Sequence, residues 1–183
     1  MKLKTLYEKV FSLSFFKKLL GIPVLGKLLS YEILSYLFFG ALTTVVNFVV
    51  YGLMNLLLRL IIPGVDTETY LLFTIGKLEF KWIYLANGVA WFLAAVFAFV
   101  VNKVFVFEAK EKDSKTLARE LVSFFGARVL SLILFEELLF AGLSFFMNSW
   151  IAKIISSVVN VVFNYAASKF VIFRKKKGEE KDA

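Results

Sequence analysis

Asn102-Lys103-Val104-Phe105-Val106-Phe107 and, 66 positions later, Ser168-Lys169-Phe170-Val171-Ile172-Phe173 close two of the chain's apolar stretches in the same way. In each, a lysine is followed by aromatic and β-branched residues, as expected where a membrane helix leaves the hydrocarbon. A doubled exit predicts a doubled helix pair, an arrangement common among transporters. The entries repeat too: Phe38-Phe39-Gly40-Ala41 opens the first long apolar stretch, and Phe124-Phe125-Gly126-Ala127 opens the third. Two helical hairpins of the same orientation are therefore expected, related by an axis along the membrane normal.

A helix that crosses a bilayer needs about 20 mostly apolar residues. Four stretches qualify, about 34–58, 82–102, 121–147 and 151–168. The expected fold is an all-α membrane protein with four transmembrane helices in two parallel-oriented hairpins. Met147-Asn148-Ser149-Trp150 is a tight connection that makes the third and fourth helices an antiparallel pair. Between the first two helices, Leu71-Leu72-Phe73 is too short to span and is expected to rest at the membrane interface. Leu3, Leu6, Tyr7, Val10 and Phe11 recur at helical spacing among lysines, so residues 2–20 read as an amphipathic helix on the membrane surface. Packing of that helix on the protein's own membrane domain is the alternative. The organisation expected is an interfacial segment 1–30, a membrane domain 31–174 and a charged tail 175–183.

Orientation follows from the basic residues. The N-terminal segment carries six Lys and Arg, the 103–120 connection five and the tail from Lys169 six, against Arg59, Lys77, Lys81 and Lys153 on the other side. This split places both termini in the cytoplasm of a multi-pass cell-membrane protein. Trp82, Tyr84 and Trp150 then fall at the outer interface, where amphipathic rings settle.

Composition narrows the chemistry. A hydrophobic fraction of 60% with 22 Phe exceeds the core needs of a soluble domain of 183 residues. With no His and no Cys, disulfides, thiolate nucleophiles, imidazole bases and ordinary zinc sites are excluded. The net charge of +8 is attributed to membrane topology and not to nucleic-acid binding. No glycine-rich phosphate loop or nucleotide motif is present, so neither a cofactor nor enzymatic activity is expected.

Charges near the bilayer centre cost about 2.5–3.5 kcal/mol each on insertion scales, so they tend to be kept for a task. Arg128, Glu136 and Glu137 lie within the third stretch. On a regular helix Glu136 is about 80° around and about 12 Å along from Arg128, whereas Glu137 points almost opposite. Glu136 is thus expected to share a cavity with Arg128, and Glu137 to face another helix or subunit. Structural ion pairing, or an early end to the third span, are the alternatives. In the fourth helix Lys153, Ser157, Asn160, Asn164 and Ser168 fall on one face. Lipid would not tolerate such a face, so it looks inward, either for interhelical hydrogen bonding or to line a hydrophilic groove. Asn47 and Tyr51 are placed to line that groove from the first helix. Ala90, Ala94 and Ala98 mark a close-packing seam. Lys103 and Lys169 either snorkel to fix helix depth or receive a lipid phosphate.

At these residues the chain resembles the GtrA-like family of small four-helix membrane proteins. The match rests on Phe39-Gly40 with Asn47, on Asn102-Lys103-x-Phe105-Val106-Phe107, on Arg128 and Glu136, and on Asn164-Tyr165-x-x-x-Lys169-x-Val171-Ile172-Phe173. It covers about residues 34–173. Where the family often shows Trp and Arg, this chain has Phe105, Lys103 and Lys169, and lysine lacks the bidentate fork for phosphate. The resemblance implies movement of a polyprenyl-phosphate-linked sugar across the membrane during cell-surface polysaccharide or glycolipid synthesis. It also implies a membrane glycosyltransferase as partner. In that reading Lys103, Lys169 and Arg128 attract the phosphate, and Asn47, Asn102, Asn160, Asn164 and Glu136 face the headgroup. So few helices enclose little space, which makes a homo-oligomer plausible. Two rivals stand beside it: a small proton-coupled exporter working through Glu136, and a non-transporting anchor for a glycosyltransferase.

Overall fold

A computed structural model describes residues 2–12, 29–109 and 113–173. The chain is an all-α membrane protein with one small β-hairpin, and it falls into two compact units, 1–102 and 103–183.

In the first unit, helix α1 spans Lys2–Phe11. The rest of the expected amphipathic helix, residues 13–20, lies outside the described residues. The Tyr7 hydroxyl donates to the Leu29 carbonyl at 2.7 Å, and the Tyr7 ring meets Tyr31 edge-on at 5.6 Å. These contacts tie α1 to the start of the next helix. Helix α2, Tyr31–Ile61, begins at Ser30, whose hydroxyl accepts from the Ile33 N–H, with Glu32 in the first turn favoured by the helix dipole. At 31 residues it is about 46 Å long, well beyond the roughly 30 Å hydrocarbon core. It therefore overruns the expected 34–58 at both ends. Pro63-Gly64 follows, and Asp66 then accepts from the Glu68 N–H and the Thr69 hydroxyl. These two bonds hold the Asp66 carboxyl below the usual carboxylate range.

The loop expected around Leu71-Leu72-Phe73 is instead a strand. β1, Leu71–Ile75, pairs antiparallel with β2, Leu78–Lys81. Apolar residues on either side of a two-residue Gly76-Lys77 turn account for it, and Gly76 supplies the positive φ (+60°) such hairpin turns require. Helix α3, Trp82–Val101, packs against α2, and its Ala86, Ala90, Ala94 and Ala98 are all buried. The small-residue seam is thus one turn longer than expected. Helical backbone continues past Val101 as a π-helical turn, Asn102–Val106.

In the second unit α4, Ser114–Ser131, is capped by Asp113, whose carboxylate accepts from the Thr116 N–H at 3.0 Å. It starts seven residues before the expected 121, because the cap falls at Asp113. The helix runs on through a π-helical segment, Leu132–Leu139, into the short α5, Phe140–Ser144. After the turn, Asn148 caps α6, Ser149–Ala167, by accepting from the Trp150 N–H at 2.9 Å. α6 ends in another π-helical turn, Ser168–Ile172. Contacts of Glu136 with Lys153 and of Ser131 with Asn164 show the pair to be antiparallel.

Both repeated exit motifs therefore fold as π-helical turns, a rare conformation often found at functional sites. Their terminal rings, Phe107 and Phe173, are buried and stacked at 5.4 Å. Among the described residues, three helical runs are long and apolar enough to cross a membrane: Tyr31–Ile61, Trp82–Val106 and Ser149–Ile172. The run 114–144 is as long, but Lys115, Arg119, Glu120, Arg128, Glu136 and Glu137 dilute its apolar character.

Candidate functional site

The polar face of α6 meets α4 and the π-helical segment in the second unit. Lys153 Nζ donates to one Glu136 oxygen and Asn160 Nδ2 to the other, the latter at 3.0 Å. Asn164 Nδ2 donates to Asn160 Oδ1 at 2.7 Å and to Ser131 Oγ at 2.9 Å. The Ser131 hydroxyl passes the chain on to the Arg128 carbonyl at 3.0 Å. Lys153, Glu136, Asn160, Asn164 and Ser131 thus form one continuous hydrogen-bonded seam, in which the Glu136 and Lys153 charges compensate each other.

Burial is graded along it. Asn164, Ser131 and Ser168 are buried, Asn160 and Ser157 half-buried, and the Lys153 side chain 52% exposed. The deep end lies by the exit motif and the open end by the Asn148 turn. The inward stripe is present as the periodicity implied, but its deep half is knit to α4 and is not an open groove. Replacing Asn164 with alanine removes the donor for Ser131 Oγ and Asn160 Oδ1. A loss of about 1–3 kcal/mol is expected for buried partners left unpaired, read as a lowered unfolding midpoint in detergent micelles.

Arg128 and Glu136 do not share a contact. The π-helical segment begins at Leu132, between them, and its wider turn departs from the regular spacing on which that pairing was expected. Glu136 is taken by Lys153 and Asn160. The Arg128 guanidinium, half-buried, lies over the Phe124 ring at 5.1 Å and meets no carboxylate among the described residues. Glu137 is exposed. An apolar groove of about 520 Å³ runs between α4 and the end of α6, walled by Ala127, Leu130, Phe163, Ala166 and, in the turn that follows, Phe170.

The two exit lysines differ. Lys103 forms a buried ion pair with Glu120 of α4, so its charge is already neutralised within the protein. Sequence reasoning missed Glu120, since an acid after Lys115 and Arg119 reads as part of a solvated charged run. Lys169 is half-buried, donates to the Tyr165 hydroxyl at 3.2 Å and lies over the Tyr165 ring. Asn102 is 3% exposed, and its Oδ1 has no hydrogen-bond donor among the described residues. Such an atom calls for a water or ligand donor. Asn47 sits half-buried in α2, in the first unit.

Long apolar helices, a compensated polar seam and an arginine that meets no acidic side chain among the described residues define a small multi-pass membrane protein. The chain belongs to the GtrA/DPMS transmembrane domain family, whose model matches residues 35–173. It is 35% identical over 146 residues to the uncharacterized membrane protein YwcD of Bacillus subtilis, covering 79% of this chain and 98% of that one. It is 37% identical over 151 residues to the cell wall teichoic acid glycosylation protein GtcA of Listeria monocytogenes, covering 80% and 88%. The GtcA of Listeria innocua is 34% identical over the same span. No solved structure matches the chain.

Proposed function

We propose that this protein moves a polyprenyl-phosphate-linked sugar between membrane leaflets to supply glycosylation of a cell-wall glycopolymer. The GtcA relatives, named for teichoic acid glycosylation, support the pathway. The observation that carries the step itself is Arg128: a guanidinium in an otherwise apolar stretch of α4, resting on a ring and facing no carboxylate among the described residues. Guanidinium is planar and always charged, and it matches phosphate oxygens with two parallel hydrogen bonds. The apolar groove flanked by Ala127 and Leu130 offers a place for part of the lipid chain. The sugar exchanges hydroxyl hydrogen bonds with the seam, starting at its exposed end. There Lys153, Glu136 and Asn160 offer donors and acceptors that replace lost water.

Glu136 already accepts from Lys153 and Asn160, which suits it to a polar path more than to a lone proton carrier. The run 114–144 serves as the fourth span, both termini lie in the cytoplasm, and a membrane glycosyltransferase acts as partner without catalysis by this chain. Purified protein in liposomes, loaded with labelled polyprenyl-phosphate sugars, tests the reading. Transbilayer movement faster than in protein-free vesicles is expected for at least one sugar. Equal rates for a panel of hexose and N-acetylhexosamine headgroups would leave the protein as an anchor for its partner.

A further inference from the structure

The hairpin between α2 and α3 carries an apolar surface that the seam does not use. Its register pairs Phe73 with Phe80 and Ile75 with Leu78, so these four side chains share one face. The pairing of Thr74 with Glu79 falls on the other face, where Lys81 also bridges to Glu79 at 3.3 Å. The Phe73 and Phe80 rings stack at 4.7 Å. All four apolar side chains are exposed, from 37% at Phe80 to 66% at Leu78. A lone two-stranded hairpin is marginal in water, so an amphipathic one of this size needs support on its apolar face.

Its position says what covers that face. The Trp82 N–H donates to the Tyr70 carbonyl at 2.8 Å, closing the base of the hairpin. Trp82 Nε1 donates to Asn55 Oδ1 at 3.0 Å, near the end of α2. Helix α3 starts at Trp82, directly after β2. The ribbon is thereby held at the level where one membrane helix ends and the next begins. It cannot sink into hydrocarbon, because both its outer edges carry backbone groups that would go unsatisfied there. It can rest in the headgroup layer, where water and lipid oxygens reach those edges.

We infer that the hairpin is a membrane-surface anchor. It lies flat in the headgroup layer, with Phe73, Ile75, Leu78 and Phe80 turned toward the acyl chains and Thr74, Glu79 and Lys81 toward water. The occupant of the apolar face is lipid and not a protein. The face carries no polar group to orient a partner, and the chain's own continuity with α2 and α3 delivers it to the bilayer surface. One consequence is a fixed depth for the start of α3.

The chain has no cysteine, so single nitroxide labels can be placed without background. Full-length Phe73→Cys, Ile75→Cys and Thr74→Cys proteins are labelled and reconstituted into phosphatidylcholine vesicles. Collision rates with oxygen, which concentrates in lipid, and with a water-soluble nickel chelate are then measured. The expected result is a period-two pattern: oxygen collisions several-fold favoured at 73 and 75, chelate collisions several-fold favoured at 74. High chelate access at all three sites would overturn the inference, since the hairpin would then stand in water. Low access to both probes at 73 and 75 would overturn it too, because protein would then cover the face.

Discussion

Arg128→Ala is expected to slow transbilayer movement of the polyprenyl-phosphate sugar by about ten- to a hundredfold, corresponding to the roughly 1.5–3 kcal/mol of a hydrogen bond to a charged group. The reason is geometric. Among the described residues the guanidinium lies over the Phe124 ring and meets no carboxylate, and the carboxylate expected beside it, that of Glu136, is held by Lys153 and Asn160. An uncommitted cation in the apolar part of a helix lowers the cost of drawing a phosphate past it. The cost to the fold should be about 0.5–2 kcal/mol, because the half-buried guanidinium lies over the buried Phe124 ring. Arg128→Lys keeps the charge but loses the fork, so it should recover only part of the rate. Initial rates in the liposome assay, beside unfolding midpoints in micelles, separate transport from stability. Wild-type rates in Arg128→Ala would remove Arg128 from the route.

Glu120→Ala should be the most damaging substitution for folding, at about 3–5 kcal/mol, because it strands the buried Lys103 ammonium without a counter-charge. Both side chains are almost fully enclosed, at 11% and 8% exposure. Lys103 sits in the π-helical turn of the exit motif and Glu120 in α4, so the pair fixes that turn against the helix. Lys103→Met combined with Glu120→Leu should restore most of the loss, since a well-packed apolar pair often replaces a buried ion pair at little cost. Chemical denaturation in micelles reads both. A single Glu120→Ala protein as stable as the parent would mean that Lys103 reaches water, as a snorkelling lysine would. In that case Lys103 would again be open to lipid phosphate.

The helical runs, the antiparallel turn at Asn148 and the alanine seam of α3 were legible because each follows from local rules. Length, apolar periodicity and small residues four apart act within one element. The repeated Lys-aromatic-β-branched exits were legible for the same reason. Their π-helical backbone was not, since nothing in Asn102–Phe107 or Ser168–Phe173 distinguishes an i→i+5 turn from an ordinary helix end. The hairpin of residues 71–81 lay within reach of strand reasoning: apolar residues flank a Gly-Lys turn. Between two membrane helices, though, Leu71-Leu72-Phe73 reads equally well as an interfacial loop.

By itself the sequence determined that this chain lives in a membrane and that the polar face of α6 must turn inward. Those outcomes depend on how each segment partitions between water and lipid, which is additive along the chain. Only the tertiary structure decided the pairings: Lys103 with Glu120, Glu136 with Lys153 and Asn164 with Ser131. Each joins residues on different elements or across the π-helical segment of α4. Its register depends on backbone geometry that no single stretch of residues encodes.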